Sequence, residues 1–109
     1  MLETDYKFGE VHTLATQIGN GTDRVQFKNI FGNTNGGVTL LAFKAGQKLD
    51  QHIAPAEVMV TVLEGEIVFT MIDRPLTLTA GQFLLMGADV PHSVEAKADS
   101  KVMLTKIKP

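Results

Sequence analysis

An all-β sandwich or barrel is the fold class this sequence predicts, and three observations predict it. From Val25 onward, short apolar or alternating runs are separated by turn residues at about the 8–12-residue spacing of such folds. The runs are rich in Val, Ile, Thr, Leu and Phe, which suit a pleated, half-buried surface. No stretch after Val25 carries a helical period with caps.

The elements follow in order. "VHTLATQI" near the N-terminus is the one segment with the makings of a turn or two of helix. "RVQFKNIF" alternates imperfectly, "GNTNGG" is a turn cluster, and "VTLLAFK" is a strand. "AGQ" at residues 45–47 turns the chain into "LDQHIA", a short strand ended by Pro55. "EVMVTVLEGEIVFTMI" reads as two strands around Glu64 and Gly65, where glycine supplies the positive φ of a tight reversal. "DRP" makes another turn, "LTLT" a short strand, and a second "AGQ" at 80–82 precedes "FLLMG". "PHSVEA" and "KVMLTKI" complete the series. The flanks of the two "AGQ" segments differ too much for an internal repeat.

At 109 residues the chain is expected to be one domain, with room for one core and one site. Its 44% hydrophobic and 20% charged residues are globular composition, far from that of a disordered segment. The net charge of −2 and the scattered basic residues offer no footprint for a phosphate backbone, so nucleic acid is excluded as a partner. The absence of cysteine excludes disulfides, thiolate nucleophiles and Cys-based zinc sites together. "MLETDYKFGE" carries acid and lacks an apolar run, and no run approaches the roughly 18 residues that span a bilayer. A cytoplasmic protein with no membrane partner is the expectation. There is no G-x-S-x-G elbow, Walker loop or G-x-G-x-x-G, so serine hydrolase, NTPase and dinucleotide enzyme lack support.

"GQKLDQHIAPAEVMVTVLEG" and "GQFLLMGADVPHSVEA" resemble the two motifs of the cupin superfamily. The first motif is Gly, five residues, His, any residue, His, three or four residues, Glu, six residues, Gly; here Gly46, His52 and Gly65 fall in place. In the second, Gly81 and His92 match, Pro91 precedes the His, and Gly87 and Ala96 stand where Pro and Asn are usual. The second His position holds Ala54, and the Glu position holds Val58 with Glu57 one residue away. The resemblance covers about residues 38–107 and implies a single-domain, RmlC-like jelly-roll β-barrel, preceded by an N-terminal strand segment at 1–31. It is similar in particular to small, stand-alone bacterial cupins.

The resemblance also implies that His52 and His92 lie on neighbouring strands and face inward. Val58, Val60 and Val62 share one strand face and would supply an apolar wall. His52 and His92, with Val58 and Val60, are therefore the candidate ligand-binding residues. Two neutral imidazoles suit zinc, iron, nickel or copper, and manganese is a further candidate. A metal centre needs a third donor, for which Asp50 and Glu57 are nearest in sequence. By strict alternation Asp50 shares the face of His52, whereas Glu57 must turn inward out of register.

Three functions are open at this point: a barrel binding a small organic molecule, a metal-dependent enzyme of dioxygenase or isomerase type, and a structural barrel whose site has decayed. Whether the chain is an enzyme is left undecided. His12 is expected at the surface, Met59, Met71, Met86 and Met103 in the core, and the lysines of "KVMLTKIKP" on a solvated, charged sheet edge. A homodimer is expected, with the apolar N-terminal segment through Phe31 as a shared strand.

Overall fold

A computed structural model describes residues 2–109. Among the described residues nine strands form: β1 (Gln26–Asn33), β2 (Gly36–Phe43), β3 (Lys48–His52), β4 (Glu57–Glu64), β5 (Glu66–Met71), β6 (Arg74–Thr79), β7 (Phe83–Met86), β8 (His92–Ala96) and β9 (Ser100–Ile107). They make a five-stranded sheet in the order β1-β2-β9-β4-β7 and a four-stranded sheet in the order β3-β8-β5-β6. Every pairing within them is antiparallel, as in a jelly-roll barrel. Among the described residues there is no α-helix; "VHTLATQI" yields only the 3-10 turn Leu14–Thr16.

The core lies between the two sheets. In β4 burial alternates, so Val58, Val60 and Val62 point inward. They meet Leu41 and Phe43 of β2, Ile67 and Phe69 of β5, and Val102 of β9 in one cluster. Each such side chain taken fully out of water contributes about 1.5–3 kcal/mol. Of the methionines, Met86 joins this core and Met71 packs against it. Met59 and Met103 do not: they occupy the opposite, half-buried face of β4 and β9.

Glu64 and Gly65 do not turn a hairpin. β4 and β5 belong to different sheets, and Gly65, with φ +87°, is the corner at which the chain crosses between them. A Cβ there would stand 2.3 Å from both the Asp99 carbonyl oxygen and Ser100 Oγ, so glycine is required by space as well as by dihedral. Ser100, almost fully buried, accepts a 3.0 Å hydrogen bond from the Glu66 N–H and donates one of 2.7 Å to the Ala98 carbonyl, which closes the corner.

The two "AGQ" segments are the same turn used twice. In each, a glycine at φ near +88° precedes a glutamine whose Oε1 accepts the backbone N–H three residues back: Lys44 to Gln47 at 2.9 Å and Thr79 to Gln82 at 2.8 Å. Both turns carry the chain between the sheets, in opposite senses, from β2 to β3 and from β6 to β7.

Two expectations need correction. β6 begins at Arg74 and includes Pro75, so "RP" is strand and not turn; β6 is an edge strand, where a missing N–H leaves no sheet hydrogen bond unmade. The turn before it is Ile72 and Asp73, both at positive φ, as a two-residue hairpin of this hand demands. β9 is no edge at all, being paired with β2 on one side and β4 on the other.

All of the 1–31 segment but residue 1 is described. Its later part is β1, paired with β2 of the same chain, and Glu3 bridges Gly32 across the outer side of β1. The turn at Leu14–Thr16 sits over the outer face of β9, where Lys101 Nζ donates to the Ala15 carbonyl and lies 3.7 Å from Glu64. These contacts tie parts of the segment to its own barrel, while Phe8 and Val11 between them stay exposed.

Candidate functional site

β3 and β8 are neighbours, and their register sets His52 directly opposite His92. The ring centroids are 4.1 Å apart at 59°, so the sequence motifs bring these two side chains together as expected. The register slips between Leu49, opposite Val94, and His52. A bulge there returns His52 to the face of Leu49, and both line the same cavity. The same bulge breaks the alternation that would have placed Asp50 beside His52. Asp50 is exposed and contributes its backbone carbonyl, which accepts a 2.8 Å hydrogen bond from His52 Nδ1.

His92 is held the same way, with Nδ1 2.8 Å from the carbonyl of Val90. A carbonyl only accepts, so each Nδ1 carries the proton and each Nε2 keeps its lone pair. The loops supporting the two rings are tied together by the Asp89 N–H donating to the Ala54 carbonyl at 2.8 Å. The two histidines are not equivalent. His92 is buried and stacks on Phe69 at 5.3 Å and 11°, whereas His52 is at the exposed rim.

Both open onto a cavity of about 200 Å³ between the sheets. Val58 and Val60, the expected apolar wall, line it with Phe69, Met86 and Leu104. So do Ala54 and Lys106. Lys106 is the site residue that sequence reasoning missed. The signal was there: Ser100, Val102, Leu104 and Lys106 share one face by period two, and that face is inward. Reading β9 as an edge hid it.

A third metal donor is not among these residues. Glu57 is exposed on the outward phase of β4, opposite Ile107, and among the described residues no group of three His, Cys, Asp or Glu is placed to hold an ion. Two Nε2 donors fixed by backbone carbonyls are a fragment of a metal site, as a catalytic centre takes three protein ligands. The donor set therefore does not fit the metal that the fold suggests, and no chemistry is derived through one. His12, the remaining histidine, is exposed and packs edge-on to Tyr6 at 4.8 Å, remote from either motif's strands.

Burial lowers the pKa of His92 below its ordinary value; the hydrogen bond to Val90 works against this, and electrostatic repulsion of a proton by His52 and Lys106 adds to it. The unfolded chain then protonates near pH 6.5, before the folded protein does. The contribution of His92 to stability is fully present above about pH 6.5 and is lost as the pH drops from there to its folded pKa. Urea unfolding is expected to show a lower midpoint at pH 5.5 than at 7.5, with the loss reduced in His92→Phe. An equal loss in that variant would mean that other groups carry the acid sensitivity.

Two antiparallel sheets closed around a cavity, with paired imidazoles on adjacent strands, define an RmlC-like barrel. The chain belongs to the cupin domain family, whose model matches residues 39–107. It is similar across 97% of its length, at 24% identity and a TM-score of 0.88, to a conserved protein of unknown function from Streptococcus pyogenes, of which it covers 93%. A cupin superfamily protein from Desulfitobacterium hafniense has the same TM-score of 0.88 at 18% identity, with 100% of this chain and 99% of that one aligned. An RmlC-like cupin from Desulfovibrio desulfuricans is 29% identical, with a TM-score of 0.80 over 90% of this chain and 95% of its own. No curated protein matches the chain.

Proposed function

We infer that this cupin binds a small organic molecule inside the barrel, with a hydrogen-bond donor of the ligand on His52 and His92. The cavity carries the reading. It is lined mainly by apolar side chains with a few polar groups, the paired His52 and His92 on one wall and Lys106 on the other, which is how small-molecule sites are built. Its volume of about 200 Å³ exceeds the roughly 150 Å³ that accommodates a benzene ring in an engineered protein cavity. A ligand of about one ring fits. The free Nε2 lone pairs accept, so the ligand end that meets them donates.

Thermal unfolding with phenol and with toluene tests this, as the two share a shape and only phenol donates. Phenol is expected to raise the melting temperature more, with about 2.7 kcal/mol of stabilisation at a concentration one hundred times its Kd. Val60→Phe, which fills the cavity, removes the effect. The reading fails if neither compound stabilises the protein, or if the filled variant responds as the native one does.

A further inference from the structure

Lys106 lies at a boundary. It lines the inner cavity and also a surface groove of about 520 Å³, and Ala54 and Pro55 belong to both walls. These three residues form the threshold between groove and cavity. Lys106 projects from the five-stranded sheet next to Val58, its register partner on β4, whereas His52 and His92 project from the four-stranded sheet. The cavity therefore has a donor wall and an acceptor wall.

The cation at this threshold has no partner of its own. Among the described residues Lys106 forms no ion pair within 4.0 Å, although Lys97 and Lys101 each do. No Asp or Glu among them lines the cavity. Lys106 is half-buried, and its cavity neighbours Val58, Met86 and Leu104 supply no counter-charge. Its charge reaches across the space, since it is one of the influences acting on His92.

We propose that Lys106 takes the anionic end of the ligand, so that the cavity selects a small organic acid with its carboxylate on Lys106 and a hydroxyl on the His52–His92 pair. The inference rests on the cavity being the ligand site, and it adds the ligand's chemical class. Each ligand end meets its complement: the carboxylate accepts from the ammonium and the hydroxyl donates to Nε2. A neutral amide isostere keeps the shape and the hydroxyl contact and offers the ammonium a neutral carbonyl oxygen in place of a counter-charge.

Isothermal titration with 4-hydroxybenzoate and 4-hydroxybenzamide at pH 8 separates these contributions. The acid is expected to bind at least about tenfold more tightly than the amide, in line with a hydrogen bond to a charged group. In Lys106→Met the preference disappears because the acid loses more affinity than the amide, and in Lys106→Arg the preference survives. Equal binding of acid and amide by the native protein overturns the assignment without any variant, and binding of the amide then still supports the cavity as the ligand site. A preference that persists in Lys106→Met overturns it as well. If neither compound binds, the cavity reading and this inference fall together.

Discussion

Replacing Ala54 by His and Val58 by Glu is expected to raise the affinity for zinc or nickel by on the order of a hundredfold. Both positions line the cavity that holds His52 and His92, so the new donors enter the same space. Each native imidazole already has its Nδ1–H fixed by a carbonyl, which is the support a metal-binding histidine needs. Four donors then replace two. The larger side chains cost about 1–3 kcal/mol of packing strain, and the buried glutamate costs more until the ion pairs with it. The apo double variant should therefore be less stable than the native protein and regain stability with metal, by about 4 kcal/mol at a thousand times Kd. Competition against a chromophoric chelator measures the gain, and adding His92→Ala should cancel it. A folded double variant that binds no better than the native chain would show that Ala54 and Val58 do not aim at the histidines.

Phe69→Ala should cost about 3–5 kcal/mol, a large part of the 5–15 kcal/mol that stabilises an ordinary domain. The Phe69 ring is 2% exposed and forms the floor on which the imidazole of His92 lies. Truncation enlarges a space that is already open, so the neighbours have little with which to close it. Phe69→Leu keeps most of the volume and should cost under about 1.5 kcal/mol. Urea unfolding of both variants reads the difference. A Phe69→Ala cost below about 1 kcal/mol would mean that the wall collapses inward and that the cavity is not held rigidly.

The all-β class was legible because alternation and turn residues act locally, and nothing distant overrides them in β2, β4 or β9. The pairing of His52 with His92 was legible only through the resemblance to the cupin motifs, which Gly46, His52, Gly65, Gly81 and His92 carry. Where strand neighbours decide the outcome, the sequence was mute or misleading. A bulge between Leu49 and His52 removed Asp50 from the site, and no residue type announces a bulge. Pro75 looked like a turn because its tolerance depends on β6 being an edge. Gly65 had the right dihedral and the wrong reason, since a corner between sheets and a hairpin ask the same of glycine. Lys106 was lost to the assumption that a lysine-rich strand lies outermost.

The central place of β9 has a consequence in time. Its partners β2 and β4 leave the ribosome long before residues 100–107 do, and until then each keeps a long, apolar edge that only β9 can cover. The five-stranded sheet is two unconnected pairs up to that moment, β1 with β2 and β4 with β7. The four-stranded sheet, whose last strand is β8, can assemble first. Completion of the barrel, and with it the arrival of Lys106 opposite the histidines, is thus a late, long-range event of the kind that folds slowly and leaves nascent chains exposed to chaperones.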